Sequence, residues 1–241
     1  MDLSLIQDPS TWVALATLTV MEIVLGIDNI IFIAVLAAKL PEQKRDAARR
    51  IGLLIAMVTR IALLFSITWL LTLSDVLFTI LDHSVSGKDL ILICGGLFLL
   101  GKATHEIHDK IEGEDDQGAE RGMKVSFLSV MVQIALLDVV FSIDSVITAI
   151  GMVESLAVMV VAVVLSVLVM LAFSGAVSRF VERHPTVKVL ALSFLLLIGF
   201  ALVAEGWHYD IPKGYIYFAM GFSAFVEALN LKIFRRRKKN A

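Results

Sequence analysis

Apolar residues in this chain come in long unbroken blocks. They show neither the alternation of half-buried strands nor the single stripe of a helix on a soluble core. A helix needs about 20 such residues to cross the hydrocarbon core of a bilayer. The blocks predict seven spans, over Thr11–Ala38, Ile51–Leu73, Asp89–Thr104, Val125–Gly151, Leu156–Val177, Val187–Ala204 and Gly214–Leu231. The third and sixth are the shortest. Residues 1–10 contain Asp2 and Asp8 and no Lys or Arg. A cleavable signal peptide needs a basic start, so the first apolar block is expected to stay as a span.

The polar stretches between the blocks set an expected orientation. Cytoplasmic loops of membrane proteins are enriched in Lys and Arg. With Lys102 and Lys188 at span ends counted to the adjoining loops, those after the first, third and fifth spans and the tail after the seventh hold every Lys and Arg except Lys88, Lys213 and Arg60. Lys88 and Lys213 fall on the opposite side, and Arg60 falls inside the second span. This places the N-terminus outside and the C-terminus in the cytoplasm, and a missed or surplus span would scramble the two sets.

Composition agrees with this pattern. Of 241 residues, 58% are hydrophobic, and mean hydropathy is +0.86; soluble domains run nearer about 45–50% apolar. The net charge of −2 carries no message about partners, and no nucleic-acid partner is expected. The one cysteine, Cys94, sits in an apolar run. It permits no disulfide within the chain and no thiolate cluster, and it reads as a small buried hydrophobe.

An internal repeat locates the chemistry. Glu22-Ile-Val-Leu-Gly-Ile-Asp28-Asn29 aligns with Asp138-Val-Val-Phe-Ser-Ile-Asp144-Ser145. Glu22 to Asp138 and Asp28 to Asp144 are both 116 residues. A weaker echo closes each half, Glu106-Ile-His108 after the third span and Glu205-Gly-Trp-His208 after the sixth. The expected organisation is a first three-helix repeat over 1–108, an acidic cytoplasmic loop over 109–124, a second repeat over 125–208, and a seventh helix with a basic tail over 209–241. Because three spans is an odd number, the second repeat enters the membrane from the other side. The expected fold is therefore all-α, a 3+3 inverted repeat plus one extra helix. That architecture places ligands near the midplane, at the interface between repeats.

Four carboxylates at that depth are expensive. At about 2.5–3.5 kcal/mol each, Glu22, Asp28, Asp138 and Asp144 would cost on the order of 10 kcal/mol if left bare. A divalent cation neutralises two at once, and Asn29 and Ser145 add neutral oxygens. An all-oxygen donor set suits hard ions such as Mg²⁺, Ca²⁺ and Mn²⁺. Remaining charge can be met by Arg60 or by protons. Six residues turn a helix by about 600°, so Glu22 and Asp28 point about 120° apart while Glu22 and Asn29 share a face. One ion can touch all of these groups only if the helix is distorted near Gly26. Otherwise Asp28 and Asp144 hold the ion, and Glu22 and Asp138 support or relay.

Other polar groups carry blander readings. Thr59, Gln133, Ser142 and Thr148 suit a lined path or helix–helix hydrogen bonds. His105, Glu106, His108 and Asp109 form a polar helix end that could touch a metal, without the spacing of a zinc protease. The GEDDQG loop reads as solvated, and Glu227 and Asn230 as exposed near the end of the seventh span. The small polar lining and the acids are not an enzyme's: two intramembrane aspartates suggest an aspartic protease dyad, but no Gly-x-Gly-Asp stretch is present and Glu22 and Asp138 would be superfluous.

At the two acidic motifs the chain resembles the TerC family of integral membrane proteins. Phe180-Val-Glu-Arg-His-Pro185 and Pro212-Lys-Gly-Tyr-Ile-Tyr-Phe-Ala219 are also similar to that family. The match is to its short branch, without an appended cytoplasmic regulatory domain. The resemblance implies kinship with LysE-type exporters and Mn²⁺ efflux across the bacterial inner membrane. It implies metal-site residues Glu22, Asp28, Asn29, Asp138, Asp144 and Ser145; Arg60 is their expected charge partner from its own place inside the second span. No cofactor is expected apart from the transported ion. A metal-handling subunit docked on secretion machinery and an amino-acid exporter are the competing functions, and a homo-oligomer is allowed.

Overall fold

A computed structural model describes residues 8–66, 73, 75–80, 83–111, 126–153 and 155–240. The side chains of residues 28, 80, 83, 110, 111, 144, 147, 148 and 234–240 are excepted. Among the described residues there are seven long helices and one hairpin: α1 (Pro9–Ala37), α2 (Glu42–Phe65), β1 (Val76–Ile80), β2 (His83–Ser86), α3 (Gly87–Ile111), α4 (Phe127–Met152), α5 (Leu156–Arg183), α6 (Pro185–Gly206) and α7 (Lys213–Asn240). Five of them, α1, α3, α5, α6 and α7, are long and apolar enough to cross a membrane. The other two fall short for local reasons. The first turns of α2 are charged, and the described apolar stretch of α4 covers only Phe127–Ile143.

Helix boundaries differ from apolar boundaries. Helix α2 starts at Glu42, well before the apolar block at Ile51, and ends at Phe65. Helix α3 runs on to Ile111 and α5 to Arg183. Backbone hydrogen bonding continues wherever the sequence allows it, whereas hydropathy marks only the part suited to lipid. Local chemistry sets several ends. Asp8 caps α1 by accepting from Ser10 N at 2.9 Å, and Pro9 follows at the first helical position. The Ser10 bonds hold the Asp8 carboxyl below its ordinary range. Pro185, which needs no N–H partner, opens α6.

The hairpin was not expected from the sequence. Its strands pair antiparallel, Val76 with Ser86 and Ile80 with His83, with a register shift between Val76 and Phe78. Val-Leu-Phe-Thr-Ile is rich in β-branched and aromatic residues, but only Ser74 and Asp75 part it from the apolar span before it, which concealed it.

The chain forms two compact units, interleaved in sequence. The first comprises residues 1–87 and 122–182, with α1, α2, α4 and α5. The second comprises residues 88–121 and 183–241, with α3, α6 and α7. Each unit therefore draws helices from both halves of the chain.

In the first unit α2 packs chiefly on α4, and α1 packs on both. The core is aliphatic, with Ile33, Leu36, Leu53, Leu64, Ile134, Leu137 and Ile143 fully buried. Close approach depends on two glycines. A Cβ on Gly52 would lie 3.0 Å from Ile134 Cδ1, and one on Gly26 would overlap the Met170 thioether of α5. Helices α1 and α4 run without interruption through Gly26 and Ser142. Gly26 therefore serves packing in this structure, and the helix is not broken there.

In the second unit α3 and α6 meet backbone to backbone. A Cβ on Gly96 would stand 2.6 Å from Gly199 O, and one on Gly199 3.0 Å from Gly96 O. Small residues admit this contact where helices associate by van der Waals packing. Cys94 of α3 is exposed, which corrects the buried reading: its apolar neighbours mark a lipid-compatible face and not a core. Helix α7 is exposed along most of its length, through Tyr215, Phe218, Phe222 and Phe225 among others.

Candidate functional site: a buried charge cluster joining three helices

The middle of the first unit holds charge where a bilayer would favour none. Glu22 of α1, Arg60 of α2 and Asp138 of α4 are buried, with exposures of 6%, 3% and 3%. Their positions follow from helical spacing. On α2 the buried face runs through Arg49, Leu53, Ala56 and Arg60, a repeat of three and four residues. That register turns Arg60 inward, between α1 and α4.

The guanidinium bridges the two repeated motifs. Arg60 Nη1 donates to Glu22 Oε2, and Arg60 Nε donates to Asp138 Oδ1 at 3.3 Å. Asp138 is the most heavily solvated by protein. Thr59 Oγ1 donates to its Oδ2 at 2.6 Å, and Ser142 Oγ to the same oxygen at 3.3 Å. Asn29 Nδ2 reaches its Oδ1 from α1 at 3.5 Å, the longest of the set. A buried carboxyl group that receives several donors recovers part of the solvation it loses on leaving water. Two carboxyl groups here face one guanidinium, and the pairing offsets part of the bare-charge cost.

The expected site residues are thus placed as follows. Glu22, Asn29, Arg60 and Asp138 are brought together. Ser145, also buried, lies one turn beyond Ser142 and donates to its carbonyl at 3.2 Å. Asp28 and Asp144 lie on α1 and α4, next to Asn29 and Ser145, and their side chains lie outside the described residues, as does that of Thr148. Among the described residues no three His, Cys, Asp or Glu side chains converge as a metal site. Of the smaller polar groups, Thr59 and Ser142 serve Asp138. Gln133 instead bonds Ser129 on its own helix at 3.1 Å.

The other polar motifs are occupied locally. Glu106 pairs with Lys102 at 2.9 Å, and His105 approaches Asp109 at 3.6 Å, both along α3. In the second unit Glu205 pairs with Lys88 at 3.0 Å, and His208 Nε2 meets Asp89 Oδ2 at 3.0 Å. His208 takes a left-handed backbone, φ 61°, just past the end of α6. Glu227 accepts from Thr186. Sequence reasoning missed Arg49 as an interior group, because it counted only as a loop charge. Its spacing of eleven residues from Arg60 was the available signal, since eleven residues span three helical turns.

A largely apolar helical fold enclosing an ionic cluster is the structure of an integral membrane protein with paired charge in its interior. The chain belongs to the integral membrane protein TerC family, whose profile matches residues 7–241. It is 56% identical over 238 residues to the UPF0053 inner membrane protein YgdQ of Escherichia coli K12, covering 98% of this chain and 97% of that one. A UPF0053 protein of Haemophilus influenzae is 51% identical over 233 residues, covering 97% of this chain and 98% of its own. The E. coli UPF0053 inner membrane protein YoaE is 55% identical over 226 residues, 93% of this chain but 43% of that longer protein. No solved structure matches. The protein is a multi-pass protein of the bacterial inner membrane.

Proposed function

We propose that this protein exports a divalent metal cation, Mn²⁺ in the first place, by alternating access. The observation that carries the reading is the Glu22–Arg60–Asp138 cluster, which ties the two repeated acidic motifs together across one interface. Two motifs of like spacing meeting at one depth is what an inverted repeat would bring about. The interleaving of the two compact units supports the same arrangement, since the first two helices of each expected repeat share one unit and the third helices share the other. On this reading seven helices span the membrane, with the N-terminus outside.

The geometry also favours a division of labour. Arg60 and Thr59 already occupy the oxygens of Asp138, and Glu22 is committed to the same guanidinium. Glu22 and Asp138 then act as supports. Asp28 and Asp144, with Asn29 and Ser145, are the groups we assign to the ion. Oxygen donors suit Mn²⁺, Mg²⁺ and Ca²⁺, and the family resemblance selects Mn²⁺. When the cation leaves, charge must be replaced, and protons on the same carboxylates supply it. Uphill export then follows from proton antiport.

The test is Mn²⁺ flux in proteoliposomes holding the purified protein alone. Asp28→Asn and Asp144→Asn should each abolish flux. Wild-type flux in both variants would refute the site, and flux independent of pH would refute the proton coupling only.

A further inference from the structure

We infer a second site, on the first unit and away from the acidic motifs, that binds a phosphate-bearing anion through Arg49 and Arg179, the membrane lipid headgroup being its source. It does not depend on the transport reading.

Arg49, in the early part of α2, is 7% exposed, an unusual state for a guanidinium near a helix end. Its Nε is buried without a hydrogen-bond acceptor among the described residues. Among the described residues its Nη2 pairs with Asp46 at 2.9 Å, and Asp46 is 73% exposed, so water screens much of that pair. Opposite, on α5, stands Gly175. A Cβ built there would lie 3.4 Å from Arg49 Nη2 and 3.4 Å from Arg179 Nη1. The two guanidinium nitrogens are therefore no more than twice that distance apart. No carboxylate among the described residues pairs with Arg179, which is exposed.

Two guanidinium groups converging on a space left by a missing side chain, one of them buried with an unused donor, form a receptor for a tetrahedral oxyanion. Arginine's planar fork matches phosphate oxygens in pairs. The surroundings favour this over an internal counter-ion. Glu182 is committed to Arg45 and Ser178, at 3.8 and 3.4 Å. Lys44 adds positive charge at the same end of α2. Phe173 and Phe180 are exposed on α5, flanking Gly175 and Arg179, and they suit acyl chains running from a bound headgroup. Basic pockets between membrane helices take anionic headgroups in this way.

The experiment uses the full chain purified in neutral detergent. Its thermal midpoint is followed with added phosphatidylglycerol or phosphatidylcholine, and with sodium phosphate against sodium chloride at matched ionic strength. Native mass spectrometry counts bound lipid. Phosphatidylglycerol should raise the midpoint and bind, and phosphatidylcholine should not. Arg179→Gln, at an exposed position, should weaken binding about fivefold, the equivalent of one lost cationic contact at a membrane surface. Gly175→Glu, which places a carboxylate between the guanidinium groups, should abolish the lipid response and raise the lipid-free midpoint. Arg50→Gln should respond as wild type. A response to phosphate alone would assign the anion to solution, and a response to phosphatidylglycerol alone would assign it to lipid; either carries the site. Wild-type responses in both Arg179→Gln and Gly175→Glu, or no response of the wild type to either anion, would overturn it.

Discussion

The two compact units deal with polar groups in opposite ways. The first encloses them: Glu22, Arg60 and Asp138 lie deep among α1, α2 and α4, each held by the others. The second gathers them towards helix ends. Along the contact of α3 with α6 the close approach is backbone on backbone, at Gly96 and Gly199. Lys88 with Glu205 and His208 with Asp89 sit where α3 begins and α6 ends, and Lys102 pairs with Glu106 late in α3. Among the described residues the buried charges of both units have ionic partners. In the second unit one partner of each pair, Lys88, Lys102 or His208, is within reach of water. The first stakes stability on mutual pairing, an arrangement retained in membranes where charge has work to do.

The comparison can be broken most forcefully at Arg60. Arg60→Leu leaves Glu22 and Asp138 facing each other without a cation. It should cost about 3–5 kcal/mol, the usual penalty for orphaning one side of a buried pair, read as chemical denaturation in detergent. Adding Glu22→Gln and Asp138→Asn to that variant should restore much of the loss. If Arg60→Leu is as stable as wild type, the cluster does not hold the first unit together.

Next comes the packing contact of the second unit. Gly199→Val introduces atoms where the Gly96 carbonyl stands 3.0 Å from the Cβ position, and should cost about 1–3 kcal/mol by overpacking. Mn²⁺ flux per folded molecule should hold, whereas the Arg60 variant should lose both stability and flux.

Asp138→Asn sharpens the contrast between stability and function. The substitution preserves shape and leaves Arg60 with Glu22, one charge against one. Stability should change by less than about 1.5 kcal/mol, the ordinary worth of a single hydrogen bond, while flux falls sharply. Equal losses in both would make Asp138 a structural residue only. The smallest effect is expected at Lys88→Gln, which removes a partly exposed pair with Glu205 and should cost about 0–1 kcal/mol, vanishing in high salt.

How much of this was legible beforehand differs from residue to residue. The long helices, the two acidic motifs and an interior Arg60 could be read because bilayer cost makes such residues conspicuous against an apolar background. Thr59 and Ser142 were recognisable as polar lining, but nothing in their spacing said that both would serve Asp138. Cys94 misled because an apolar neighbourhood means burial in a soluble core and exposure to lipid in a membrane. The hairpin at Val76–Ser86 was hidden by an adjoining apolar block. Arg49 was hidden by its neighbours, since in a run of loop cations only its eleven-residue spacing from Arg60 marked it as the one that turns inward.

By itself the amino-acid order determined that this is a helical membrane protein, which spans it has to offer, and which acids recur at equal spacing. These are one-dimensional facts, fixed by the length of apolar runs and the expense of charge among them. Only the tertiary structure decided that Glu22 and Asp138 share one guanidinium, that α1 stays unbroken at Gly26, and that Arg49 and Arg179 converge on Gly175. Those outcomes depend on which faces of separate helices meet. Helical periodicity assigns each residue to a face, but the pairing of faces is chosen by packing between segments far apart in the chain.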